Sequence, residues 1–154
     1  VSPPRPEPSV MKVLRDVRPN RMTLVVGPKA DDLEGDGQSD IISVSVVLFS
    51  EPRPEPVIVP GTFFFEAIPV ARKGGGEVAS APTTWSFGPQ EVRAAEAPTM
   101  FGLPGYRFQL DVRATPGTRL PAGVYNITGR FQPADGAGPV VCRPDQRLVR
   151  LDGR

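Results

Sequence analysis

The chain has 154 residues, with 18 Lys and Arg against 17 Asp and Glu, no histidine and a single cysteine. This near balance of charge leaves no basic excess for nucleic acid, so we expect no nucleic-acid partner. The absence of histidine excludes Ser-His-Asp and Cys-His catalysis, and a lone Cys142 excludes an intrachain disulfide. No apolar run reaches the roughly 18 residues that a transmembrane helix needs. These exclusions favour a protein that is not an enzyme and has no transmembrane segment.

Proline and glycine set the architecture, with 20 Pro and 16 Gly distributed between short apolar runs. No window of ten or more residues sustains the 3.6-residue apolar period of a helix, whereas alternating runs separated by turn residues recur along the chain. This pattern predicts an all-β fold, an antiparallel β-sandwich of seven to nine strands. We expect one sandwich domain over residues 21–154, preceded by a proline-rich arm over residues 1–20.

The arm begins Val-Ser-Pro-Pro-Arg-Pro-Glu-Pro over residues 1–8. Proline at this density fixes φ and favours an extended polyproline II conformation. The four residues Arg-Pro-Glu-Pro recur at positions 53–56, which is too short a match to indicate a repeat. We expect the arm to contact neighbouring protein subunits.

Residues 41–49 form the stretch that most clearly dictates its own conformation. Strand side chains alternate between faces, so one face of an extended chain would carry Ile42, Val44, Val46 and Leu48. The other face begins with serines but ends with Val47 and Phe49. We therefore predict a central strand whose second face is also partly covered, by a sheet or by a partner.

The remaining strands are predicted from the same alternation and from the turns between them. Residues 89–97 are the only stretch for which we expect a helical turn or two. The predicted strands, besides the central one, cover residues 22–26, 57–59, 62–68, 83–87, 106–112, 125–131, 140–142 and 148–151.

An acidic loop precedes the central strand and is the best candidate for a metal site. Its carboxylates, which alternate around Gly37 in the sixth position, are Asp32, Glu34, Asp36 and Asp40. Oxygen ligands at alternate positions resemble the start of a calcium loop, because the chain must wrap around one hard cation. The twelfth position, however, is a serine where such a loop has glutamate. Calcium is the one cofactor that this pattern suggests, and a solvated turn is the alternative interpretation.

Aromatic residues give a second candidate site. Trp85 and Tyr106, with the Phe63, Phe64 and Phe65 run, could form a platform on which a sugar ring stacks, and this would make the chain a carbohydrate-binding module. The alternative is that these rings fill the core, as large aromatics commonly do in sandwiches. A hydrolase that uses carboxylates alone is a third interpretation, although nothing distinguishes Glu51, Glu66 or Asp111 for that role.

Two stretches resemble known modules. Residues 120–131, Leu-Pro-Ala-Gly-Val-Tyr-Asn-Ile-Thr-Gly-Arg-Phe, resemble the penultimate strand of bacterial immunoglobulin-like modules. Residues 32–46, in which an Asp-Gly-rich loop leads into a core strand, are similar to the opening of β-sandwich domains in extracytoplasmic lipoproteins of planctomycete-type bacteria. The resemblance implies a secreted or cell-envelope structural or interaction protein. Its strand edges and arm would join it to protein subunits, which could be copies of itself.

Overall fold

The computed structural model describes residues 13–27, 29–70, 82–99, 102–113, 120–142 and 147–152. These residues form ten strands and one short helix. The elements are β1 (Arg21–Val26), β2 (Ile41–Phe49), β3 (Pro56–Val57), β4 (Gly61–Pro69), β5 (Thr83–Phe87), α1 (Pro89–Ala94), β6 (Glu96–Pro98), β7 (Pro104–Asp111), β8 (Gly123–Pro133), β9 (Val140–Val141) and β10 (Leu148–Leu151).

The strands form two antiparallel sheets. Sheet A has the order β1-β2-β7-β6, with β3 also paired to β2, and sheet B has the order β10-β8-β4-β5, with β9 also paired to β8. With β3 and β9 set aside, these are the orders A-B-E-D and G-F-C-C′ of an immunoglobulin-like sandwich. The predicted all-β, immunoglobulin-like antiparallel fold is therefore confirmed.

The described residues contain ten strands, one above the predicted range, because β6 begins at the end of the stretch for which we expected helical turns. The helix α1 ends at Ala94, and Glu96, Ala97 and Pro98 pair with the start of β7. Three residues without an alternating apolar pattern give no strand signal of their own, so this pairing depends on contact with β7.

The core lies between the two sheets, and the predicted inward faces are the observed ones. On β2 the side chains Ile42, Val44, Val46 and Leu48 are at most 1% exposed. Sheet B contributes alternate residues of its two central strands, which are Phe63, Phe65, Ala67, Tyr125, Ile127 and Phe131. The period of two in both sheets thus places one continuous apolar layer inside the sandwich.

A tyrosine at the start of β8 bonds to the loop that precedes this strand. The hydroxyl of Tyr125 donates a hydrogen bond of 2.7 Å to the carbonyl oxygen of Pro121, four residues upstream. This is the tyrosine corner found in immunoglobulin-like domains. Burial of the phenol raises the pKa of Tyr125 above its ordinary value.

One side of the sandwich is bridged by contacts between residues 22–29 and residues 142–150. Met22 forms an isolated parallel bridge with Cys142, and Lys29 forms one with Arg150. The Nε atom of Arg147 donates a hydrogen bond of 2.9 Å to the carbonyl oxygen of Leu24. These contacts join sheet A to sheet B at that side.

The described part of the predicted arm, residues 13–20, packs against its own domain. Leu14 pairs in parallel with Val57 of β3. The amide of Leu14 donates to the Pro56 carbonyl at 2.9 Å, and the amide of Ile58 donates to the Leu14 carbonyl at 2.9 Å. Residues 1–12, which include the proline-rich part of the predicted arm, lie outside the described residues. Over the ranges described, no helix has the length and apolar character needed to span a membrane.

Candidate functional site

The acidic loop between β1 and β2 closes around its own carboxylates. Both oxygens of Asp32 accept backbone amides, at 2.9 Å from Gly35 and 2.8 Å from Gly37. The two glycines have φ of 70° and 80°, a conformation that favours glycine and lets the chain curl around the carboxylate. Asp40, which is fully buried, accepts the Leu33 amide at 2.9 Å.

Three of the four predicted metal ligands come together. Carboxylate oxygens of Asp32, Asp36 and Asp40 lie within 4.8 Å of one another. Glu34 instead pairs with Arg113, whose Nη1 lies 3.4 Å from its Oε1. The backbone amides of the loop already bind oxygens of all three aspartates, so the loop geometry follows from turn formation without a cation. Calcium binding stays a prediction, now limited to these three carboxylates.

Asp32 organises this loop through its charge, which gives a testable prediction. Desolvation acts to raise its pKa, but hydrogen bonds from the Gly37, Gly35, Asp36 and Glu34 amides outweigh it, so the pKa is lowered. A lowered carboxyl pKa stabilises the folded loop above the ordinary aspartate value and loses that effect as pH falls through the folded pKa. We expect Asp32→Ala to speed amide hydrogen exchange at Gly35 and Gly37 near neutral pH. In the wild type, the protection factors of these two amides, taken relative to the intrinsic exchange rate at each pH, should fall only below about pH 4.

Asp36→Ala is the matched control, because it removes the same charge from the same loop. Asp36 accepts the Gln38 amide at 2.9 Å, so its loss should affect Gln38 and leave Gly35 and Gly37 protected. Equal acceleration at both glycines in the two variants would contradict a specific role for Asp32.

The aromatic candidates belong mainly to the core. Tyr106 has no exposed surface, and its hydroxyl donates a hydrogen bond of 3.1 Å to the Val59 carbonyl. Burial raises its pKa to about 12. The prediction of Tyr106 as a sugar-stacking residue is therefore wrong, because a ring without exposed surface cannot stack on a ligand. Trp85 is partly buried against the core, and its Nε1 donates to the Asp111 carbonyl at 3.1 Å.

The outward face of the central strand β2 is partly covered within the chain. Val47 is 0% and Ser45 is 1% exposed, although both point away from the core. The hairpin that joins β6 to β7 lies against this region, since a β-carbon at Gly105 would be 2.8 Å from Cγ2 of Thr99 and 3.1 Å from Cγ2 of Val47. The predicted second cover of β2 therefore includes its own β6–β7 hairpin.

The outer side of sheet B, in contrast, carries exposed apolar side chains. Five large apolar side chains among the described residues are exposed, and four of them lie on its outer side: Val70 (37%), Val124 (39%), Val141 (62%) and Leu148 (43%). The half-buried Phe64 and Ile68 lie on the same side of β4. We call these six residues the apolar face of sheet B.

The strand register brings this face together as a mixed surface. Ile68 and Leu148 each lie opposite Asn126 of β8, on its two sides, and the amide of Val70 donates to the Val124 carbonyl at 3.0 Å. The Arg130 guanidinium carbon lies 4.6 Å from the centre of the Phe64 ring, in a cation–π contact. This face could not be predicted from the sequence, because each valine or leucine occupies an outward position singly and only the strand pairing shows that they are neighbours.

Comparison with protein-family models, curated proteins and solved structures gives no match. The fold and this surface therefore define the class, which is an all-β immunoglobulin-like sandwich. Its own hairpin covers part of the outer face of sheet A, and among the described residues the outer side of sheet B carries exposed apolar side chains.

Proposed function

We propose that the chain is a non-catalytic structural or interaction protein, a subunit of an extracytoplasmic assembly that contacts its partners through sheet B. The observation that carries the proposal is the concentration of exposed apolar side chains on the apolar face of sheet B. Contiguous exposed apolar surface on a soluble domain marks an interaction site more often than scattered residues do.

The composition of this face suits a reversible protein contact. Arg130 and Arg150 stand among the apolar residues, and Glu66 lies on β4 between Phe64 and Ile68. Protein interfaces combine an apolar core, in which aromatic residues and Arg are enriched, with a polar rim. Because both signs are present, the face is suited to a second copy of the chain, which is the partner that the proposal commits to.

The extracytoplasmic location rests on the resemblance of residues 32–46 and 120–131 to bacterial envelope and secreted modules. It would be tested by fractionation of the producing cells with antibody detection. Recovery of the protein only in the cytoplasmic fraction would contradict this part of the proposal.

The interaction surface is tested by the double variant Val124→Ser, Leu148→Ser. We expect the wild type to self-associate in light scattering coupled to size-exclusion chromatography. The double variant should raise the dissociation constant roughly tenfold to a hundredfold, since burial of a large aliphatic side chain contributes about 1.5–3 kcal/mol and these two are already partly buried.

Leu33→Ser is the control, because Leu33 is 62% exposed but lies in the acidic loop, away from the face. It should leave association unchanged. A wild type that is monomeric at millimolar concentration, or an equal loss in the Leu33 variant, would contradict the proposal.

Carbohydrate binding is the alternative function, and the structure favours it less. It retains only Trp85 of its two named residues, and the indole N–H of Trp85 is already bonded to a backbone carbonyl. Quenching or a spectral shift of Trp85 fluorescence on glycan titration would revive this alternative.

A further inference from the structure

A groove crosses the outer face of sheet A near the ends of β1 and β2. It has a volume of about 480 Å³. One wall is the connection from β2 to β3, and the other is the tip of the β6–β7 hairpin. Its apolar lining consists of Val47, Phe49, Pro52, Pro54 and Leu103. The groove is on the opposite sheet from the apolar face of sheet B and is independent of the function proposed above.

The groove also carries charge. Arg21 and Arg53 line it together with Glu51, and Nη1 of Arg21 is paired with Oε1 of Glu51. The Nε of Arg21 is buried and has no hydrogen-bond partner among the described residues. With two guanidinium groups and one carboxylate, the groove has one positive charge left for an acidic ligand.

The groove is apolar, is lined by prolines and an aromatic ring, and contains arginine side chains. Such a groove suits an extended proline-rich peptide that carries a carboxylate. Such peptides lose little conformational entropy when they bind, because proline already holds the backbone in an extended conformation. The chain contains such a segment in residues 1–8, where Glu7 stands between two prolines.

The first described residues of the chain lie close to the groove. Leu14 pairs in parallel with Val57. Pro52, Arg53 and Pro54, which shortly precede Val57 in the sequence, line the groove. Glu7 is six residues from Val13, a reach of about 19 Å at the polyproline II rise of about 3.1 Å per residue.

We propose that this groove is a docking site for the proline-rich residues 1–8 of the same chain, with the Glu7 carboxylate paired to Arg21. The site is a peptide-binding groove specific for extended proline-rich sequence with an acidic side chain. A tether of this length raises the effective concentration of the segment at the groove and favours the intramolecular complex.

A double-mutant cycle on the full chain tests the pairing. Glu7→Gln should lower the thermal midpoint by about 1–2 °C, as expected for an exposed ion pair in a domain of this size. In the Arg21→Gln background the same Glu7→Gln change should have no further effect. Glu55→Gln is the control, because Glu55 stands in the second Arg-Pro-Glu-Pro run, and its effect should be the same with and without Arg21. Additive effects of the Glu7 and Arg21 changes would overturn the proposal.

Photocrosslinking gives a second, independent test. Benzoylphenylalanine in place of Ser2 or Ser9 of the full chain should crosslink to the peptide that contains Phe49 and Pro52, in a product of monomer mass. A crosslink elsewhere, or one found only at dimer mass, would overturn intramolecular docking. Since the groove and the apolar face of sheet B are on different sheets, Val124→Ser, Leu148→Ser should leave the crosslink unchanged.

Discussion

Phe63→Ala should reduce the free energy of unfolding by about 3–5 kcal/mol, the largest effect we expect from a single side chain. The Phe63 ring lies 4.7 Å from the ring of Phe131 and 5.0 Å from that of Tyr106, measured between centroids. It also lies 5.2 Å from Phe108. Because Tyr106 and Phe108 belong to sheet A and Phe131 to sheet B, removal of this ring leaves a cavity between the two sheets.

Phe64→Ala is the matched control for this prediction. Phe64 is the next residue of the same strand, points outward and contacts Arg130. Its loss should cost about 1 kcal/mol or less, from the cation–π contact and partial burial. Urea unfolding measures the loss of unfolding free energy in both variants, and the comparison holds if their m-values are equal. Similar losses for the two variants would contradict the assignment of inward and outward faces on β4.

Gly105→Ala should reduce the free energy of unfolding by about 1–3 kcal/mol through overpacking. A β-carbon at this position would collide with the carbonyl oxygen of Val46 and would lie 2.8 Å from Cγ2 of Thr99. The backbone oxygen cannot move without disturbing the pairing of β2 with β7. The hairpin that covers β2 is also tight, since Oγ1 of Thr99 donates to the Leu103 carbonyl at 2.8 Å.

Gly138→Ala is the control for the glycine prediction, since a β-carbon there has no atom within 4 Å. It should change stability by less than about 0.5 kcal/mol, in either direction. The comparison separates steric collision at Gly105 from the general effect of replacing glycine. An unchanged stability of Gly105→Ala would contradict the close packing of the hairpin on β2.

The inward faces of the sheets could be predicted because the period of two is regular in β2, β7 and β8. Tyr106, Phe108 and Leu110 alternate with Arg107 and Gln109, and the structure buries the first set and exposes the second. The same alternation predicts that Tyr106 lies on the core face of its strand, together with Phe108 and Leu110. The hypothesis of a sugar-stacking platform does not take this alternation into account. It is wrong at Tyr106 because the ring of Tyr106 faces the core.

Features that depend on contact between distant residues could not be predicted. The sequence of β6 has no strand pattern, and its pairing exists because the hairpin returns to β7. The acidic loop showed the spacing of oxygen ligands, but spacing does not show that the glycine amides bind Asp32 or that Glu34 pairs with Arg113. The apolar face of sheet B likewise combines single residues from β4, β8, β9 and β10, whose proximity is set by register.

Hydroxyl-radical footprinting over a dilution series of the full chain tests the central claim most directly. At concentrations where the chain self-associates, we predict that Val141 and Leu148 on sheet B become protected while Leu33, in the acidic loop, stays reactive. Dilution should restore reactivity at the first two residues only. Protection of Leu33 with unchanged reactivity at Val141 and Leu148 would contradict the claim that sheet B is the contact surface.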